Sequence, residues 1–120
     1  RPSAMSPCAC SASERRTAMK LIEKLSEMID EEIEDAGKYA KCALKYKEEN
    51  PALSKTFYDL STDEMRHMTL LHDEVARIIA QYRKENGEPP TAMLAVYDYL
   101  HEKQIERAKE VKDYQAMYRG

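Results

Sequence analysis

Three side chains in this sequence have the types and spacing of metal ligands. Glu64 and His67 stand three residues apart, so on a helix they lie one turn apart on the same face. Glu32 lies in an earlier segment whose apolar residues recur every three or four positions, as in an amphipathic helix. Carboxylate and imidazole ligands together suit iron or manganese, and zinc less distinctively. These three residues are the candidate metal ligands.

Capping residues and prolines divide the chain into three predicted helices. Ser11 with Glu14 three residues later has the pattern of a capping box, which marks a helix start. Asn50 followed by Pro51 predicts a second start, because Asn caps helix N-termini and Pro suits the first helical position. Gly87 is a typical helix stop, and a third helix follows with Thr91 as its predicted cap. The predicted helices span residues 11–49, 51–86 and 91–118.

Composition and loop length together predict the fold class. Charged residues make up 34% and apolar residues 42% of the chain, with three glycines, which suits long amphipathic helices better than a sheet. The very short connection at Asn50 requires the first two helices to pair as an antiparallel hairpin. We therefore predict an all-α fold, a hairpin plus a third helix, forming a single domain over residues 13–120. Residues 1–12 lack the pattern of a signal peptide and are expected to be a disordered leader or a cloning remnant.

The predicted inward face of each hairpin helix is interrupted by polar residues at one level only. Glu32 lies about 17 residues before the hairpin turn, and Glu64 and His67 lie about 15 and 18 residues after it, so their heights coincide within about one turn. An unpaired carboxylate is costly to bury, and a divalent cation would hold it ionised. The predicted inward residues are Ile22, Leu25, Ile29, Glu32, Ala36, Tyr39, Ala43 and Tyr46, then Leu53, Phe57, Leu60, Glu64, His67, Leu71, Val75, Ile78 and Tyr82.

These residues resemble a known family. Glu32 followed by Tyr39, together with the segment 63–67 (Asp-Glu-Met-Arg-His), resembles the first helix pair of ferritin-like and rubrerythrin-like di-iron proteins. Such sites take one Glu from each of two helices and a Glu-x-x-His from each of the other two. The resemblance covers about residues 18–85. It implies that Glu32 and His67 are terminal ligands, that Glu64 bridges two metals, and that Tyr39 lies beside them.

The chain departs from the full family pattern because it has three helices and one Glu-x-x-His. On the third helix, the residues near the metal level are Ala108, Val111 and a further candidate ligand, Glu110; His101 is too far along the helix to bind. Two chains related by a two-fold axis would supply the complete set of four Glu and two His. The chain is therefore similar to half-length ferritins, including encapsulated ferritins, whose site forms at a dimer interface.

The resemblance implies the oxidation of Fe(II) by oxygen or peroxide at two iron ions per homodimer, or per pair of chains in a higher even-numbered oligomer, with manganese or zinc as other occupants. Tyr39, Asp35 and Asp63 are expected either to orient the ligands or simply to pack and face solvent. The alternative function is a non-catalytic helical dimerisation protein, in which the polar layer sets the helix register. A silent zinc-binding module is a third option.

Charge and cysteine usage limit the partners and the compartment. The net charge is -3 without a basic face, so we expect neither nucleic acid nor an anionic membrane as a partner. The apolar runs are too short to cross a bilayer. Three cysteines without a regular framework indicate a reducing compartment, hence a cytoplasmic location, including the interior of a protein compartment.

Overall fold

The computed structural model describes the backbone of residues 7–120 and the side chains of residue 13 and residues 15–120. It contains three α-helices: α1 (Pro7–Lys45), α2 (Pro51–Asn86) and α3 (Thr91–Arg119). The predicted all-α fold is confirmed. None of these helices combines the length and the apolar character needed to cross a membrane.

The start of α1 differs from the prediction. The helix begins at Pro7, so Ser11 lies inside it rather than at its start. Pro7 supplies an alternative first helical position, which the capping pattern at Ser11 concealed. The earlier part of the predicted leader, residues 1–6, lies outside the described part of the chain.

The turn between α1 and α2 follows the predicted chemistry. The Asn50 side-chain oxygen accepts a hydrogen bond from the Leu53 backbone N–H, and Pro51 is the first residue of α2. Helix α1 ends at Lys45, earlier than predicted, and a turn follows in which the Asn50 N–H donates to the Tyr46 carbonyl at 2.9 Å. The connection is short enough to force the two helices back along each other.

The connection between α2 and α3 confirms one prediction and corrects another. Gly87 has a positive φ of 82° and donates its N–H to the Arg83 carbonyl, as expected of a helix stop. Thr91, by contrast, is the first residue of α3 rather than its cap. Pro90 precedes the helix with an extended backbone. It provides no side-chain cap, because the proline ring has no hydrogen-bond acceptor.

Serine hydroxyls fix the antiparallel register of the hairpin. Ser54 donates a hydrogen bond to the Ala43 carbonyl, and Ser61 donates one to the Ala36 carbonyl at 2.7 Å. The step of seven residues from Ser54 to Ser61 on α2 therefore matches the step of seven residues from Ala43 back to Ala36 on α1. Both serines are fully buried, so water cannot replace these contacts.

Helix α3 runs parallel to α1 and covers one side of the hairpin. Midway along α3, Gln104 donates to the Ser26 carbonyl at 3.2 Å. Near the end of α3, Gln115 donates to the Ser61 hydroxyl at 2.9 Å, and the Tyr118 carbonyl accepts from Lys47 at 2.6 Å. Ser61 thus links all three helices through one buried hydrogen-bonded chain.

The core is rotated from the predicted inward face. Ile22, Ile29, Ala36, Ala43, Val75 and Tyr82 are buried as predicted. Ile33, Ala40, Met65 and Ile79 are buried as well, whereas Leu60 is exposed. The reason is α3, whose Ala108 and Val111 pack on one flank of the hairpin and draw the apolar core toward themselves. The predicted face was that of two helices, and the third helix shifted it.

We expect Ser61→Ala to lower the free energy of unfolding by about 1–3 kcal/mol, because it removes one buried hydrogen bond and leaves the Gln115 amide without its acceptor. Chemical denaturation of the metal-free protein at fixed chain concentration measures this loss. Ser13→Ala, at an exposed serine of α1, is the matched control and should change stability by less than about 0.5 kcal/mol. Equal effects of the two substitutions would contradict the linking role.

Candidate metal centre

The structure brings the three predicted ligands together. Glu32 projects from α1, and Glu64 and His67 project from α2, with one ligand atom of each lying within 4.8 Å of the others. His67 Nδ1 lies 3.0 Å from Glu64 Oε1 and 3.5 Å from Glu32 Oε2. Among the described residues, this is the one group of three His, Cys, Asp or Glu side chains with such proximity. We call it the Glu-Glu-His cluster.

The hairpin register explains why these residues meet. Ser61 contacts the Ala36 carbonyl across the hairpin. Glu64 is one turn beyond Ser61 on α2, and Glu32 is one turn before Ala36 on α1. Because the helices are antiparallel, both steps lead to the same height. The fold therefore positions the cluster through a buried contact one turn away.

Partial burial makes the negative charges of the cluster unfavourable unless they are compensated. The side chains of Glu64, Glu32 and His67 keep 19%, 26% and 43% of their surface exposed. Oxygen Oε2 of Glu32 is inaccessible to solvent and makes no hydrogen bond within the described chain. A buried carboxylate oxygen without a partner is unfavourable, and a bound cation would supply the missing interaction.

The two carboxylates disfavour each other's charge. The pKa of Glu64 is raised above its ordinary value, first by burial and then by hydrogen bonding and charge from Glu32; His67 opposes these effects. Two carboxylates and one imidazole in so small a space favour an added positive charge, either a proton or a metal ion. The donor set, oxygen and imidazole without thiolate, fits iron, manganese or zinc.

The other candidates near the cluster occupy different environments. Tyr39 is half-buried, and its ring stacks on Phe57 at 6.2 Å between centroids. Phe57 in turn stacks on Tyr46 at 6.1 Å. Asp35 is half-buried and Asp63 is exposed. No hydrogen bond links these residues to the Glu-Glu-His cluster within the described chain.

Helix α3 supplies no ligand to the cluster. Glu110 is exposed and lines a groove between α1 and α3 together with Glu34, Gly37 and Lys41. On α1, these groove residues lie roughly opposite Glu32 around the helix axis. The structure therefore does not bring Glu110 to the other candidates. The buried residues Ala108 and Val111 face the core as predicted.

Two contacts near the cluster were missed from the sequence. Arg66 Nη2 lies 3.5 Å from His67 Nε2, on the side of the ring away from the carboxylates. Ser61 and Gln115 form the buried link beside the cluster. A signal for Ser61 existed in its seven-residue spacing from Ser54, which places two small polar residues on one helix face.

Exposed apolar residues lie along the same helix stripes as the cluster, on the side that α3 leaves open. Leu21 and Met28 are exposed on the stripe of α1 that carries Glu32, and Leu60 is exposed on the stripe of α2 that carries Glu64. We call the surface formed by Leu21, Met28, Glu32, Leu60, Glu64 and His67 the ligand face. A half-buried set of ligands beside exposed apolar residues is typical of an interaction surface.

Comparison with known proteins adds no relative: no family model, no curated protein and no solved structure matches this chain. The residues of the cluster and their geometry are therefore what indicates a function for this chain.

We expect Glu64→Gln to raise the free energy of unfolding of the metal-free protein at neutral pH, by up to about 1 kcal/mol. Because the folded-state pKa of Glu64 lies above its unfolded value, ionisation costs the fold stability as pH rises through that folded pKa. The difference between variant and wild type should therefore shrink as pH falls toward the ordinary pKa of Glu. Denaturant titrations with chelator, at several pH values and one chain concentration, measure it.

The exposed neighbour Glu31→Gln is the control for this measurement and should show no such pH-dependent gain. A Glu64→Gln variant less stable than wild type at neutral pH would show that the carboxylate is not under electrostatic strain.

Proposed function

We propose that this chain is a ferritin-like metal protein that binds iron in the Glu-Glu-His cluster and oxidises Fe(II) with oxygen or peroxide, at a site shared by two copies. The observation that supports this most directly is the buried oxygen of Glu32, which makes no hydrogen bond within the described chain although it lies beside Glu64 and 3.5 Å from His67 Nδ1. In a protein without a metal function, such an oxygen would be expected to carry a hydrogen bond.

The incomplete ligand set supports the two-copy arrangement. One chain offers two carboxylates and one imidazole, and the ligand face leaves them open to one side. A second copy applied through a two-fold axis would add the same three groups, giving the four Glu and two His of ferritin-like sites. The exposed apolar residues Leu21, Met28 and Leu60 would be covered in the same step.

The resemblance to ferritin-like sites implies a role for each ligand, and the surroundings of each are compatible with that role. Glu64 is the least exposed and lies against both other ligands, which suits a bridging carboxylate. Glu32 and His67 flank it and would act as terminal ligands. Arg66 lies at the far nitrogen of His67 and helps to orient the ring. The bound iron would supply the electron transfer, and the protein would supply position, charge and exclusion of water.

Metal binding would displace the proton that joins His67 to Glu64. In the cluster, His67 Nδ1 and Glu64 Oε1 lie at hydrogen-bond distance, 3.0 Å, so one proton is shared between them. A metal needs the unprotonated imidazole and the ionised carboxylate. Iron affinity should accordingly fall as pH is lowered toward the raised pKa of Glu64.

We expect anaerobic Fe(II) titration to reach about one iron per chain, and Glu32→Ala and His67→Ala each to weaken binding by about tenfold or more, since each removes a ligand. Calorimetry and elemental analysis measure the binding, and oxygen consumption after mixing with air measures the oxidation. Glu31→Ala, an exposed carboxylate next to Glu32, is the control and should bind like wild type. Wild-type protein that takes up no iron would refute the proposal.

We expect the double substitution Leu21→Glu and Leu60→Glu to convert a dimer into a monomer and to abolish iron oxidation, because it places charge in the apolar part of the ligand face. Light scattering after size-exclusion chromatography gives the mass. The control is Val96→Glu on α3, whose surface is 45% exposed against 47% for Leu21. A wild-type monomer that still oxidises one iron per chain would contradict the shared site.

One observation favours the second candidate function, a helical dimerisation protein with a polar register layer. Because the pKa of Glu64 is raised beside Glu32, a proton can stand in for a metal and let the two acids pack together. That function requires metal-free protein whose dimerisation survives Glu32→Ala. Zinc bound by the same three ligands, without oxidation of Fe(II), would instead indicate a zinc-binding module that has no catalytic activity.

A further inference from the structure

A separate cleft lies between α2 and α3, away from the ligand face. Its volume is about 380 Å³. Thr69 of the cleft is two residues beyond His67 and therefore points to the other side of α2. The residues that line the cleft are Met68, Thr69, His72, His101, Gln104, Ile105, Ala108, Lys109 and Lys112. The proposed iron chemistry uses none of them.

The charged side chains that line this cleft are all basic. Lys109 and Lys112 project into it from adjacent turns of α3, and its lining contains no carboxylate. Neither lysine forms an ion pair with any described residue. Five other basic residues of the chain do form ion pairs: Lys38, Lys55, Arg77, Arg83 and Arg107. In a chain of net charge -3, this is a local concentration of positive charge without internal neutralisation.

Two histidines form the inner end of the cleft. His72 Nε2 and His101 Nδ1 lie 3.0 Å apart, and the rings stack at 4.6 Å between centroids. One ring donates its N–H to the other across this contact, and protonation of both rings would set two positive charges against each other. The pKa of His72 is lowered accordingly, first by burial and then by the charge of His101, with Asp73 opposing.

The charged and titratable groups around the histidine pair are few. On α3, Tyr97 stacks on His101 at 5.5 Å, and Lys109 and Lys112 lie along the same cleft. On α1, Asp30 is engaged by Gln104 and Arg107, both at 3.2 Å. On α2, Asp73 is the nearby acid. An anion held by Lys109 and Lys112 would therefore meet no carboxylate among the residues that line the cleft.

Of the five remaining lining residues, Thr69 and Gln104 are polar and the other three are apolar. Met68 lines the cleft from α2, and Ile105 and Ala108 line it from α3; Ile105 is one of the large apolar side chains left exposed. Small-molecule sites are typically clefts of about 300–1,000 Å³ with mainly apolar walls and a few polar groups that fix orientation. The volume of this cleft, about 380 Å³, falls in that range, and its lining combines apolar side chains with a few polar and charged ones.

We propose that the cleft between α2 and α3 binds an organic anion with an apolar body, such as a medium-chain carboxylate. The carboxylate lies against Lys109 and Lys112, and the hydrocarbon chain lies against Met68, Ile105 and Ala108, toward the histidine end of the cleft. Charge-assisted hydrogen bonds from the lysines give the preference for an anion, and the apolar wall gives the preference for a hydrocarbon body. This inference is independent of the proposed iron function.

Octanoate is the probe, with 1-octanol and sulfate as the uncharged and the non-hydrocarbon comparisons. We expect octanoate to bind with a dissociation constant on the order of 1 mM, as suits ten non-hydrogen atoms, and 1-octanol and sulfate to bind about tenfold more weakly. Amide and imidazole NMR shifts in the presence of a metal chelator should map to His72, His101 and Ile105. Shifts that map to the ligand face, or equal binding of either comparison compound, would overturn the proposal.

Lys109→Gln with Lys112→Gln should weaken octanoate binding by about tenfold. The control is Lys24→Gln with Lys103→Gln, which removes the same charge from exposed positions outside the cleft and should change the affinity less than about twofold. Both pairs lie on the surface, and circular dichroism confirms their folding. Equal losses in the two double variants would show a general charge effect and refute the site.

Discussion

The antiparallel register of α1 and α2 is the constraint on which the rest of this structure depends. It is held by two buried serine hydroxyls that each donate to a backbone carbonyl of the opposite helix. Apolar packing alone tolerates small sliding of one helix along another, but a buried hydrogen bond is satisfied at one height only. That height places Glu32 opposite Glu64 and His67, and α3 reinforces it through the amide of Gln115.

The Glu-Glu-His cluster differs from the serine contacts in how well its buried polar atoms are satisfied by hydrogen bonds. The serines improve the fold because every buried polar atom finds a partner, whereas the cluster leaves a carboxylate oxygen without one and raises the pKa of Glu64. Burial of this kind lowers stability unless another charge enters. The contrast lies within about one helical turn, so the same segment of the hairpin is both its most precisely fixed part and its most electrostatically strained part.

The sequence predicted those features that depend on local chemistry or on a simple height count. The turn at Asn50 and Pro51, the stop at Gly87 and the meeting of the three ligands follow from spacing and from the rise per residue. The features that depend on the third helix were not predicted in full. Leu60 is exposed and Ile33 is buried because α3 packs on one flank, and a periodicity analysis of two helices cannot specify that flank.

The same limit explains the residues placed wrongly or left apart. Glu110 was considered because its height on the third helix was approximately right, but height does not determine the direction of a side chain, and the parallel packing of α3 on α1 turns it into a different groove. Thr91 has the side chain of a capping residue, yet Pro90 occupies the cap position and Thr91 is the first residue of α3. Local signals are reliable where the local backbone decides the outcome, and less so where distant packing does.

The position of α3 has a consequence for growth of larger assemblies. By closing one flank of the hairpin, it leaves the ligand face as the surface through which the proposed two-copy site would form. A two-fold contact there would be self-complementary and would occupy the ligand face of both molecules, so the same face could not go on to build a filament. Helix α3, although it contributes no ligand, would in this way limit growth through the ligand face.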